Sequence, residues 1–132
     1  MEKVKQVIVM RKDLNMRKGK MISQGSHASL KVFLDLKDES HFKMTGELKI
    51  SLNDDMQVWI SDKFTKICVS VNSEHELVEI YNKAKNSGLP CSLIEDCGLT
   101  EFKGEPTLTC CAIGPAKEED IDLIIFNLEG LI

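Results

Sequence analysis

Lys20, Gln24 and His27 follow one another at i, i+4 and i+7. On a helix that spacing places an ammonium, a carboxamide and an imidazole along one stripe. The imidazole titrates near neutrality and can pass protons, while the cation can hold developing negative charge. Just before them stand Arg17 and Lys18, where a helix would start. Cationic side chains and unpaired backbone N–H groups at such a place attract an anion. A second constellation is EDCGLTEF, residues 95–102, in which Asp96 and Thr100 flank Cys97 and Gly98 in a tight loop. A carboxylate and a hydroxyl at the end of a strand can orient a water or a histidine. The plainer alternatives are that Asp96 closes its own turn and that His27 is a solvated surface residue.

The elements that must position these groups follow from periodicity. Residues 6–10 (QVIVM) form a short apolar, β-branched run, read as a buried first strand. After a polar turn, residues 19–36 become helical. Met21, Ile22, Gly25, Ala28, Ser29, Val32, Phe33 and Leu36 fall on one broad arc, with Lys20, Gln24, His27 and Lys31 on a narrow stripe opposite. Residues 37–63 are polar and carry little pattern beyond a short helix near 56–60. Residues 65–71 read as a strand and 73–87 as a helix, where Ser73 and Glu76 make a capping-box pattern and Gly88 and Pro90 end it. A third strand (91–95), a loop (96–106) and a fourth strand (107–113) follow, and after Gly114-Pro115 an acid-rich first turn (Glu118, Glu119, Asp120) opens a last helix through about residue 128. This β-α-β-α-β-β-α order predicts an α/β fold with helices on both faces of a four-stranded sheet. In open α/β sheets, sites gather at the carboxyl ends of strands, where both constellations fall.

Composition sets the bounds. With 132 residues, 42% of them hydrophobic and 29% charged, the chain fits one domain spanning residues 1–132. No apolar run is long enough to span a membrane, and the first residues are too weakly apolar for a signal peptide, so a cytoplasmic location is expected. Five cysteines without a C-x-x-C spacing make neither a disulfide framework nor a zinc site. They read as reduced thiols that mostly fill the core. The net charge of −4 hides an asymmetry: residues 1–20 carry +5 and the remainder −9. A local basic field of that kind suits an anionic partner.

Five motifs then come into register. They are M-x-K-G-K-x-x-x-Q-x-x-H-A over residues 16–28, G-L-P-C at 88–91, D-x-G-x-T at 96–100, T-x-T at 107–109 and A-I-G-P at 112–115. Together they resemble a peptidyl-tRNA hydrolase of the second, archaeal and eukaryotic type, in that family's order and over essentially the whole chain. The resemblance implies a three-layer α/β/α domain on a four-stranded mixed sheet, usually a homodimer. It also implies an enzyme without metal or cofactor that cleaves the ester between peptide and tRNA. The family's active-site positions fall here on Lys20, His27, Asp96, Thr100 and Thr109, with Gln24 nearby. Arg17, Lys18 and Gln24 are the expected substrate-binding residues. Arg17 and Ile22-Ser23 depart from the commoner Gly and Ala-Ala, and Cys97 stands where Ala is usual.

On this reading His27, oriented by Asp96, positions or deprotonates a water. Lys20 or loop N–H groups hold the oxyanion, and Thr100 and Thr109 orient the ester or the water. Two rivals differ in class. One is a cysteine hydrolase with Cys97 as nucleophile, although nothing in the sequence marks that thiol as ionised. The other is a non-catalytic tRNA-binding or adaptor domain.

Overall fold

The computed structural model describes residues 3–98 and 102–132. In chain order the elements are β1 (Val4–Arg11), α1 (Lys18–Leu34), α2 (Glu39–Thr45), α3 (Asp54–Ser61), β2 (Lys66–Val71), α4 (Glu74–Asn86), β3 (Cys91–Asp96), β4 (Thr107–Lys117), α5 (Glu118–Ile125) and β5 (Glu129–Gly130). The strands form one mixed sheet in the order β3-β4-β1-β2-β5. Only the β1–β2 pair is parallel. The expected count of four strands is therefore corrected to five among the described residues. The added strand is two residues long and has no apolar pattern of its own. It exists because Gly130 and Glu129 meet Val69 and Ser70 of β2.

Alternation along β1 sends side chains to two separate apolar clusters. Val7 and Val9 join Leu77, Ile80, Ile121 and Ile124 from α4 and α5. Ile8 and Met10 join Ala28, Val32 and Met56 from α1 and α3. The strand is buried on both sides, which is why it reads as a continuous apolar run.

The α/β class expected from the sequence is met, with three local corrections. First, residues 37–63 hold two short helices. Asp38 and Asn53 cap them, each side chain accepting the backbone N–H three residues on. Helix α2 buries none of its residues, so it leaves no periodic trace. Second, β4 does not stop before Gly114-Pro115 but continues to Lys117. The β1–β4 register slips between Lys5 and Val7, opposite those residues, and a proline fits inside a sheet at such an irregularity. Third, the last helix ends at Ile125. Helix α4 keeps its cap: the Ser73 hydroxyl accepts the Glu76 N–H, while Glu76 takes the N–H of Asn72.

Gly25 lies where α1 crosses β1. The nearest described atoms that a Cβ there would meet belong to the Ile8 and Met10 side chains, at 3.6–3.7 Å, which is ordinary contact. Gly25→Ala is therefore expected to stabilise the fold by about 0.5–1 kcal/mol through helix propensity. Urea denaturation should show the midpoint rising with an unchanged slope.

Candidate active site

Three strand ends meet at one edge of the sheet: the carboxyl ends of β1 and β3 and the amino end of the antiparallel β4. Helix α1 lies across β3 and β4, and its first turns reach this edge. Lys20 Nζ donates to Asp96 Oδ1 at 2.8 Å, and Gln24 Nε2 donates to the same oxygen at 3.3 Å. The Gly98 N–H donates to Asp96 Oδ2 at 2.9 Å, closing the tight turn after β3. Thr109 Oγ1 donates to Gln24 Oε1 at 2.6 Å. The result is one continuous chain of polar contacts, Thr109 to Gln24 to Asp96 to Lys20.

Burial makes the chain electrostatically strong. The Lys20 and Asp96 side chains are only 11% and 10% exposed, and little water screens their attraction. The Lys20 hydrogen bond, with help from the Gly98 N–H and the Gln24 amide, holds the Asp96 carboxyl below its ordinary value, against burial, which raises it. Asp96 is thus a carboxylate at any physiological pH. The Lys20 ammonium also lies over the Phe102 ring, 5.7 Å from its centroid.

A β-bulge aims Thr109. The β3–β4 register steps from Ile94–Cys110 to Glu95–Leu108, so Thr109 is the extra residue. Leu108 packs with the cluster on the α4 side, whereas Cys110 belongs to the cluster on the α1 side. Regular alternation would put residues 108 and 110 on one face. The bulge breaks it and turns Thr109 toward α1. Beside it, Cys110 donates its S–H to the Gln24 carbonyl at 3.3 Å. Burial pushes that thiol up to about 12, so it stays protonated.

The predicted residues thus divide. Lys20, Gln24, Asp96 and Thr109 come together. Gln24, placed by periodicity on the stripe opposite the buried arc, is instead 3% exposed, while Ile22 from the expected buried arc is 69% exposed. Within that stripe Gln24 is the residue turned inward, because Thr109 and Asp96 give its amide partners beneath the helix. Gln24 is accordingly part of the network rather than of the surface. His27 is exposed, and its ring makes no hydrogen bond to the described residues. The expected Asp96–His27 contact is not formed: the donors on Asp96 are Lys20, Gln24 and Gly98, while His27 stands exposed on α1. Arg17 is the N-cap residue of α1; it and Lys18 are exposed. Thr100 lies outside the described residues. Cys97 is exposed and makes no hydrogen bond to His27. Nothing in the sequence marks Phe102 or Cys110 as part of the site. The bulge that brings Thr109 and Cys110 to one face is a tertiary feature without a local signal. Among the described residues, no three His, Cys, Asp or Glu side chains cluster as metal ligands would. An open apolar cavity of about 870 Å³ runs along α1 past Met21, Gly25 and Phe33, and none of Lys20, Gln24, His27, Asp96 or Thr109 lines it.

The profile of the family described as peptidyl-tRNA hydrolase PTH2 matches residues 4–131. The chain belongs to this family. Among relatives of this peptidyl-tRNA hydrolase family member is the peptidyl-tRNA hydrolase of Methanocaldococcus jannaschii, 46% identical over 129 residues, which cover 97% of this chain and 100% of that one. The peptidyl-tRNA hydrolase of Sulfolobus acidocaldarius is 37% identical over 129 residues, with the same shares covered. A solved structure of a protein of unknown function from Agrobacterium tumefaciens aligns over 100% of both chains, with a TM-score of 0.57 at 11% identity. That likeness concerns the fold alone.

Proposed function

We propose that this PTH2 family member hydrolyses the ester joining a peptide, or an N-blocked amino acid, to the 3′ end of a tRNA. The observation that carries the proposal is the buried Lys20–Asp96 ion pair, tied through Gln24 to Thr109 at the sheet edge. Ester hydrolysis needs an oriented water, stabilisation of the oxyanion, and a proton for the leaving ribose oxygen. Asp96 Oδ1 already accepts two hydrogen bonds, while Oδ2 accepts only the Gly98 N–H and keeps one lone-pair direction for a water. Lys20 brings fixed positive charge to the oxyanion, worth roughly 3–4 kcal/mol for a well-placed donor. Thr109 and Gln24 keep the carboxylate aimed. The exposed imidazole of His27 handles the proton, Thr100 orients the ester, and Arg17 and Lys18 meet tRNA phosphates.

The rest of the reading follows from this activity. Residues 1–132 act as a single three-layer α/β/α domain, supported by apolar clusters on both faces of the sheet. The resemblance makes the working form a homodimer. The place of action is the cytoplasm, where translation runs, and no described helix is long and apolar enough to cross a membrane.

The test compares N-acetyl-aminoacyl-tRNA with free aminoacyl-tRNA. The protein is expected to release the blocked amino acid with EDTA present and to favour the blocked substrate. Folded protein that binds tRNA without turnover would return the adaptor reading.

A further inference from the structure

The bulge that aims Thr109 lies where two ladders lapse. The β1–β4 ladder has its last rung at Met10–Cys110, and no β3 residue pairs with Thr109. The Leu108 carbonyl lies past that rung, and Arg11 Nη1 donates to it at 3.0 Å. The rest of the same guanidinium is fixed by Asp13. Nε meets Oδ1 at 3.2 Å and Nη2 meets Oδ2 at 2.7 Å. Its side chain is 11% exposed. Arg11, counted with the basic segment, therefore spends its charge and its fork inside the protein.

We infer that Arg11 is a positioning residue: by holding the Leu108 carbonyl it fixes the bulge, and so keeps the Thr109 hydroxyl on Gln24 and the Gln24 amide on Asp96. The planar fork matters. A guanidinium can clasp a carboxylate with one edge and reach a carbonyl with its remaining nitrogen, whereas an ammonium is a point charge on a flexible stem. Asp13 sets the fork's angle, so it belongs to the same device. The inference rests on the hydrolytic reading for its kinetic arm and on geometry alone for its other arm.

The test uses Arg11→Lys, with Asp13→Asn as a second variant in case the first does not fold. By NMR, the Gln24 side-chain amide protons are expected to exchange about tenfold faster in either variant than in the parent, because the bulge that shields them has loosened. With N-acetyl-aminoacyl-tRNA, Arg11→Lys is expected to lower kcat by about ten- to a hundredfold with KM nearly constant. Combined with Thr109→Val, it should add almost nothing to the loss from Thr109→Val alone. Parent-like exchange of the Gln24 amide in folded variants would overturn the inference. So would additive losses with Thr109→Val, or a raised KM at unchanged kcat, which would make Arg11 an RNA contact. If the parent protein hydrolyses nothing, the functional reading fails while the exchange measurement still decides this one.

Discussion

Asp96→Asn is expected to lower kcat on N-acetyl-aminoacyl-tRNA by about a thousandfold, roughly 4 kcal/mol of barrier, and to destabilise the fold by about 3 kcal/mol. An asparagine has one oxygen where aspartate has two. If that oxygen faces Lys20 and Gln24, its NH2 group confronts the Gly98 N–H; if it faces Gly98, its NH2 confronts both cation and amide. Either way a donor meets a donor in a poorly solvated place. The orientation of any water on this side chain is lost with it. The pH dependence carries a sign. The carboxyl of Asp96 is lowered in the fold from its ordinary 3.8. Its contribution to stability is therefore complete above that ordinary value and is lost as pH falls through the lowered one. Urea denaturation should show a constant stability gap between parent and variant from neutrality down to about pH 5, closing below about pH 4. A gap that closes near neutrality would contradict the ion pair.

Gly98→Ala should rival it. Gly98 has φ +85°, and a Cβ built there would lie 2.4–2.7 Å from the backbone O, N and C of Glu105. Backbone atoms cannot turn aside as a side chain can, so the loop must shift. The Gly98 carbonyl also accepts the Gly104 N–H at 2.8 Å, and a shift would break that closure. A loss of about 3 kcal/mol in stability is expected, above the conformational strain alone. The Asp96 turn moves with the loop, and kcat should fall about a hundredfold. Gly104→Ala is the control. It has a similar φ of +81° but no described atom within 4 Å of its Cβ position, so it should suffer strain of only about 1 kcal/mol and keep most activity. Equal damage from both substitutions would show that the close approach to Glu105 is unimportant.

Much of the candidate site is legible in the amino-acid sequence. Residue type and spacing mark Lys20 and Asp96, the family resemblance marks Thr109, and apolar period and caps mark β1, α1 and α4. What escaped has physical reasons. A polar stripe on a helix reads as solvent-facing because its partners lie elsewhere in the chain. Gln24 is buried only because Thr109 and Asp96, far along the sequence, come beneath it. The Asp96–His27 contact was expected from residue types suited to each other. Type says nothing about placement: an ammonium at 2.8 Å holds that oxygen, while His27 stands exposed on α1. Strand β5 and the bulge at Thr109 are set by what lies alongside them. Helix α2 buries nothing and so writes no period into the sequence.

The place of β4 in the sheet bears on the moment at which this molecule becomes competent. Strand β1 lies between β4 and β2, and its pairing of Met10 with Cys110 joins residues about a hundred positions apart. Closing a loop of that length carries an entropic penalty on the order of 4 kcal/mol before any reward arrives. Such long-range pairing slows folding compared with a domain of local contacts. On a growing chain, β1 and α1 emerge before β4, and Thr109 cannot reach Gln24 until β4 has followed them. The helix half of the site thus waits on its strand half during synthesis.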